Sequence, residues 1–368
     1  MKYLKGMKTM KKLVSIIIAV IMCVTLVTAC KKDSADNALD TVIATVDGME
    51  ITQGYYNLVY NFTYLDTYEY LHEQATTYMQ NGEESWLDVK LDEERTIGDY
   101  IKENTYGQIE QLAATVSLAK EYGIEIDDSV KKEAEEQKKE IVKNYGGEED
   151  FNKFIEDSRS NHAAVDFYLQ VYVIYNRYFN EITKEGGEAY VDEETVKAAF
   201  EKEYAGKLKV QHILVSTQGE VDEKGNTIGG RSDADALAIV DEVLGKLQGG
   251  ADFDSLITEY DEDPGMESGK YYVFGDGEMV EEFETASKNL KIGEYTKKGV
   301  KTSYGYHIIK RYALDETSQE YADFKNSYTG DKVLDIILEK VEKAEKTWNK
   351  EENNSYIDSW NKDRGYEI

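Results

Sequence analysis

The sequence predicts a multi-domain chain: a mostly α-helical domain, then an α+β domain in which four strands and surrounding helices share about 110 residues. Three observations predict it. From about Thr52 to Tyr204, apolar residues recur at intervals of three and four, the helical period. Near Lys207 the period drops to two. From there to Leu314, short β-type runs alternate with helical stretches bounded by glycine.

The first residues stand outside that fold. Lys2, Lys5, Lys8, Lys11 and Lys12 precede an apolar run, Leu13 to Val27, and no acidic residue lies among them. The run is 15 residues long, short of the roughly 20 that a helix needs to span a bilayer. A basic head, an apolar middle and small residues at a cleavage point make residues 1–29 a secretory signal. Leu26-Val27-Thr28-Ala29-Cys30 resembles a lipobox, where bacterial lipoproteins are cut ahead of an acylated cysteine. A plain signal that happens to contain a cysteine is the alternative. Cys23 leaves with the signal, so Cys30 is the remaining cysteine of the chain and no internal disulfide can form. Its thiol is then free for lipid such as palmitate. Several acyl chains anchor stably where one does not. Residues 30–40, polar and acidic, read as a tether.

Composition narrows the partners. The formal net charge is −30, and losing the signal removes five lysines and no acid. A body this acidic repels nucleic acid and anionic lipid. The acidity reads as solvated helix faces that keep the protein soluble. Pro264 is the single proline, so the chain has no proline-rich linker and almost no slow prolyl step of its own.

Taken in order, Val42 to Val46 reads as a strand, Asp47-Gly48 as a turn and Thr52 as a helix start. Ile97, Ile101, Ile109, Leu112, Val116 and Ala119 form one helical stripe that Gly123 ends. Asp127 or Asp128 caps a charged helix to Asn144. Further helices follow, marked by Phe151, Phe154, Ile155, Phe167, Tyr168, Val171 and Tyr178. The helical domain spans 41–205. Tyrosine, 29 in all, suits a surface that grips unfolded segments without strict sequence choice; it suits helix packing equally, and packing is the weightier reading. Lys207 to Thr217 alternates as a strand, and a Gly-rich acidic loop runs to Arg231. Ser232 caps a helix to Gln248, Asp252 to Tyr260 is a short helix, and Tyr271 to Phe274 a strand. Glu278 to Leu290 is a helix, and Val300–Thr302 and Tyr306–Leu314 are two strands. A final helix from about Asp331 to Trp348, within 316–368, has no sheet of its own and is expected to pack on the N-terminal helices.

Five local sequences then stand in order: Val210-Gln211-His212-Ile213-Leu214-Val215; Asp263-Pro264-Gly265; Gly277-Glu278-Met279-Val280-Glu281-Glu282-Phe283-Glu284; Lys291-Ile292-Gly293-Glu294; and Lys301-Thr302-Ser303-Tyr304-Gly305-Tyr306-His307-Ile308-Ile309-Lys310. Together they resemble the parvulin family of peptidyl-prolyl isomerases. The flanks, Val46-Asp47-Gly48 through Thr52 and Leu118 through Glu125, resemble the extracytoplasmic foldase lipoproteins of the PrsA type and the chaperone segment they share with SurA. The resemblance implies a helical chaperone domain and, over 206–315, a parvulin domain with a four-stranded antiparallel sheet. It implies a non-covalent prolyl isomerase and chaperone that needs no cofactor or metal. It places the protein at the extracytoplasmic face of a Gram-positive membrane, held by Cys30. Its partners would be unfolded or newly secreted polypeptides with X-Pro bonds, and a homodimer is compatible with the sequence. A scaffold that has lost catalysis and acts as a holdase is the alternative.

Carried onto this chain, the family places His212 and His307 as paired imidazoles, Asp263 beside them and Thr302 hydrogen-bonded within their network. Met279, Phe283 and Phe274 would line the proline pocket. Met279 and Phe283, four apart, would share a helix face. His72 and His162 read as incidental. Two departures bear on activity: Gly269-Lys270-Tyr271-Tyr272 replaces a Gly-Gly-Asp-Leu-Gly run, and Lys288 stands where the family has an apolar residue. The acidic loop with Glu220, Asp222, Glu223, Asp233 and Asp235 argues against a phosphorylated substrate.

Overall fold

The computed structural model describes residues 36–78, 85–221, 227–228, 230–348 and 350–363. The signal segment, Cys30 and the first part of the tether lie outside the described residues. The chain divides into two compact units, one running up to Val191 and resuming at Ser327, the other spanning Asp192–Asn326.

The first unit is helical with a small sheet. After a short α1 (Asp36–Leu39), β1 (Val42–Val46) and β2 (Met49–Thr52) form a hairpin in which Val46 faces Met49. Asp47 and Gly48 have φ of 47° and 80°, the paired left-handed residues of a type I′ turn, whose twist matches the strands. The sequence expects a strand, this turn and a helix start at Thr52, and assigns nothing to the residues between; Met49–Thr52 pairs there as a second strand before the helix. Thr52 keeps a helix-starting role, its Oγ1 accepting the Tyr55 N–H at 3.2 Å. The helices are α2 (Gln53–Tyr78), α3 (Ile97–Glu121), α4 (Asp128–Asn144), α5 (Glu148–Asp157) and α6 (His162–Thr183). Thr96 and Asp99 form a reciprocal capping box on α3, Asp127 caps α4, and Asn161 caps α6.

The core joins Tyr55, Tyr56 and Tyr60 of α2, Ile97, Ile101 and Ile109 of α3, and Val171, Ile174 and Tyr178 of α6. Buried rings in this unit do packing work: Tyr56 lies 5.2 Å from Tyr106, and Tyr106 lies edge-on to Trp348 at 4.7 Å. Tyr70, 61% exposed, is among the few large apolar side chains of this unit left open to solvent.

The second unit opens with α7 (Glu193–Glu203) and β3 (Leu208–Ser216). A short ribbon follows, β4 (Glu220–Val221) with β5 (Thr227–Ile228), in what reads from sequence as plain loop. Next come α8 (Asp233–Gln248), α9 (Phe253–Tyr260), β6 (Tyr272–Phe274), α10 (Glu281–Asn289), β7 (Val300–Lys301) and β8 (Gly305–Tyr312). The sheet is four-stranded and antiparallel, in the order β6-β3-β8-β7. Alternation sorts β3 between two cores. Ile213 and Val215 meet Val240, Leu244 and Leu256 of α8 and α9, whereas Leu208 and Val210 meet Phe274, Phe283 and Ile309 on the other face. Covered on both faces, Leu208–Val215 is buried throughout, and its polar side chains are partnered: Lys209 pairs with Glu320 and Gln211 donates to Asp254. Gly305 lets β8 close on β3, since a Cβ there would lie 2.2 Å from the Val215 carbonyl oxygen.

Two boundaries differ from the sequence reading. Glu193–Glu203, assigned by period to the helical domain, belongs to the second unit. Phe200 lies 5.1 Å from Tyr321 and 5.5 Å from Phe324, and the Tyr321 hydroxyl donates to Glu193 at 2.6 Å. Helical period cannot tell which core a helix faces. The expected closing helix to Trp348 is three elements: α11 (Gln319–Lys343), β9 (Lys346–Trp348) and α12 (Lys350–Asp363). β9 pairs with β1, so the C-terminal segment does have a sheet, in the order β2-β1-β9. Val333, Ile337 and Ile357 of this segment join the first unit's core. No helix among the described residues is long and apolar enough to cross a membrane.

Candidate functional site

The register of β3 and β8 builds the site. It sets His212 opposite Ile309 and Leu214 opposite His307, so the two histidines lie diagonally across neighbouring strands on one face. Both are buried, at 2% and 5% exposure. Their rings are nearly parallel, 20° apart with centroids at 5.1 Å.

A hydrogen-bonded line runs through them. Nδ1 of His212 lies 2.9 Å from Nδ1 of His307, a gap that holds one hydrogen, so one ring donates and the other accepts. His212 Nε2 lies 2.9 Å from Asp263 Oδ2. Thr302 Oγ1 lies 2.8 Å from His307 Nε2, and the Tyr304 N–H donates to Thr302 Oγ1 at 3.2 Å. An ionised carboxylate only accepts, so His212 Nε2 carries the hydrogen at that end. With both rings neutral, His212 Nδ1 accepts from His307 Nδ1–H, and His307 Nε2 accepts from the Thr302 hydroxyl. This assignment comes from the network itself. It points every donor one way, from Thr302 toward Asp263.

The electrostatics agree. Burial, then the neighbouring His212 ring, pushes the His307 imidazole down to about 3, with the Asp263 charge opposing. The His212 hydrogen bond, with the Gly265 N–H at 2.9 Å and the Tyr272 hydroxyl at 3.0 Å, holds the Asp263 carboxyl well below the usual carboxylate range against partial desolvation. Nearby Asp261 is raised by burial, although the Leu214 N–H donates to it at 2.7 Å.

Aromatic side chains cover the line. Phe283 is edge-on to both imidazoles, with centroids 5.3 Å from each. Phe274 lies 5.9 Å from Phe283, and half-buried Met279 packs in the same cluster. Met279 does not share a helix with Phe283: α10 begins at Glu281 with Val280 at its N-cap. The chain approaching the helix, not helix spacing, sets Met279 in the cluster.

All seven of these expected residues converge: Thr302, His307, His212 and Asp263 in line, with Phe283, Phe274 and Met279 packed beside them. Cys30 lies outside the described residues, as does the His72 side chain; His162 is exposed at the start of α6. Lys288, the odd residue of α10, is exposed and ion-paired to Asp276 at 2.8 Å and Glu284 at 2.6 Å. Tyr272 is the residue the sequence reading passed over as a departure. It bonds Asp263 and tilts against the His212 ring at 5.5 Å. Strand alternation with Phe274, two residues on, was the available signal.

Residues 194–313 match the model of the PPIC-type peptidyl-prolyl isomerase domain. The foldase protein PrsA of Caldanaerobacter subterraneus is 27% identical over 88% of this chain and 90% of its own length. Foldase protein PrsA 4 of Bacillus cereus is 33% identical over 57% of this chain and 62% of its own. The foldase protein PrsA of Geobacillus kaustophilus is 41% identical over 33% of this chain, a stretch that spans about a third of that relative, 36%.

Proposed function

The chain belongs to the PrsA-type foldases that carry a parvulin domain, and on that premise we propose that its prolyl isomerase site is the line Thr302–His307–His212–Asp263 beneath Phe283. The observation that carries this is the meeting of one continuous buried polar line with an aromatic wall on a single sheet face. A prolyl bond turns over a barrier of about 18–20 kcal/mol because resonance keeps the amide planar. No bond breaks, so the reaction calls for neither nucleophile nor cofactor. The catalyst has to hold the twisted amide better than the planar one. Phe283, Phe274 and Met279 take the proline ring, excluding water. The polar line beside them presents a preorganised field to a carbonyl and nitrogen whose charges change as the amide twists. A thousandfold gain needs only about 4 kcal/mol of such differential binding.

His307 acts in this scheme as a fixed neutral dipole and not as a proton carrier, because burial keeps it uncharged at neutral pH. Asp263, with a side chain 23% exposed, is the charged group of the line that a substrate can approach. The helical unit holds extended clients, and Cys30, once acylated, keeps the protein at the extracytoplasmic membrane face.

The test uses the whole mature chain. Cis-to-trans rates on a proline tetrapeptide are measured for the wild type and for Phe283→Ala, His212→Ala and Asp263→Ala. Acceleration by the wild type and its loss in Phe283→Ala supports the assignment. A wild type that does not accelerate the reaction removes it and leaves a holdase. Loss of detergent-phase partitioning in Cys30→Ala tests the anchor.

A further inference from the structure

We propose that Tyr272 is a positioning residue of this site: its hydroxyl orients the Asp263 carboxylate and thereby sets which nitrogen of His212 bears hydrogen and which way the whole line points. The inference rests on the prolyl-site reading and adds a residue to it. Asp263 Oδ2 receives two donors, His212 Nε2–H at 2.9 Å and the Tyr272 O–H at 3.0 Å, while Oδ1 receives the Gly265 N–H at 2.9 Å. Three donors on one carboxylate fix its plane. They also favour its ionised, accept-only form in one fixed orientation, toward which His212 donates from Nε2, leaving Nδ1 to accept from His307.

The local chain is shaped for this contact. Tyr272 is the first residue of β6 and pairs with Val210, which turns its side chain to the face that bears the histidines. Its ring lies 5.5 Å from the His212 ring. The hydroxyl fits only because residue 265 is glycine, where a Cβ would sit 2.3 Å from the Tyr272 oxygen. The charged and titratable groups around Asp263 are His212 and, behind it, His307, Tyr272 itself, and Asp261 two residues away; none is a lysine or arginine. Tyr272 is therefore, with His212, one of two side-chain donors that offset the Asp261 repulsion. The Gly269–Tyr272 stretch, which departs from the family pattern, thus supplies a support of its own.

The test compares the wild-type mature chain with Tyr272→Phe, which keeps the ring and drops the hydroxyl, and with Gly265→Ala, which keeps the hydroxyl and displaces it. Three properties are read: the pH profile of kcat/KM on a proline tetrapeptide, the ¹⁵N shifts of His212 that report its tautomer, and the thermal midpoint. In Tyr272→Phe, kcat/KM falls about three- to tenfold at pH 7, through kcat more than KM. Its acid limb moves up by about half to one pH unit as Asp263 loses a donor. The Nε2–H signature of His212 weakens, while the midpoint stays within about two degrees. Gly265→Ala reproduces the tautomer change. Superimposable pH profiles with an unchanged His212 signature overturn the proposal. If even the wild type shows no isomerase activity, the prolyl reading fails, and the His212 shifts still decide the role of Tyr272.

Discussion

The two units bury polar groups in different ways. In the helical unit, Gln53 donates to Asn57 at 2.9 Å and to Asn353 at 3.0 Å, Asn61 donates to Ser158 at 2.9 Å, and Asn361 donates to the Tyr60 hydroxyl at 2.8 Å. These are amides and hydroxyls that hold no charge at any ordinary pH. Lys102, tied to Asp358 at 2.9 Å, is the exception that carries charge at neutral pH among the described buried side chains of that unit. The α+β unit instead buries His212, His307 and Lys209, the last paired with Glu320 at 2.8 Å. Neutral networks specify how helices pack without responding to conditions. A network of titratable groups is harder to keep folded, and it is retained where charge and hydrogen direction serve a reaction.

Substitution gives the largest contrast. His212→Leu takes one of three donors from the Asp263 carboxylate and leaves the buried His307 Nδ1–H without its acceptor, which together are expected to cost about 3–5 kcal/mol in chemical denaturation and to abolish isomerase activity. Asn57→Leu in the helical unit, where Asn57 donates to the Arg159 carbonyl at 2.7 Å, should cost about 1–3 kcal/mol. Equal costs would break the distinction.

Titration sharpens it further. The folded-state value of His307 is depressed to about 3, so the unfolded chain binds the extra proton. Stability from this group is complete above roughly pH 6.5 and is lost as pH falls toward 3, by about 1.4 kcal/mol per unit. Asp263, also depressed, acts in the same direction below its ordinary value near 3.9. Asp261 is raised and opposes them. Tyr55 and Tyr168 have the opposite sign, since burial raises both well above the usual phenol range. Their contribution is complete below about pH 10 and is lost as pH rises. Every tryptophan of the sequence, Trp86, Trp348 and Trp360, falls in the helical unit. Methyl NMR signals of Val210 and Ile309 should therefore collapse before tryptophan fluorescence shifts in acid. In alkali no such order is expected, because burial also raises Tyr272 and Tyr312 of the α+β unit. Coincident transitions in acid would show one cooperative block.

The smallest effect serves as a control. Lys343→Ala removes an exposed i,i+4 pair with Glu339 and should leave the melting midpoint within about a degree, since such pairs contribute little.

Much of the site was legible in the sequence. His212 and His307 are each followed by aliphatic residues, Ile213-Leu214-Val215 and Ile308-Ile309, and Asp263-Pro264-Gly265 is a turn signal. Tyr272 was not, because its role depends on space opened by Gly265 seven residues earlier. Nor were β2 and β9, four and three residues long. A strand that short carries no period, and β9 exists only because it pairs with β1 some 300 residues away. The boundary near Asp192 was missed for a related reason, as Phe200 fits a helix whichever core receives it.

By itself, then, the sequence determined what local chemistry controls: helix starts near Asp127 and at Ser232, the Asp47-Gly48 turn, the alternation of β3 and the residue types of the candidate site. These follow from backbone preferences and periods within a few residues. Tertiary structure decided what depends on distant partners: the third strand of the small sheet, the unit that claims α7, and the direction of the hydrogen-bonded line, which no single residue contains and which only the meeting of β3, β6, β8 and the Asp263 turn can set.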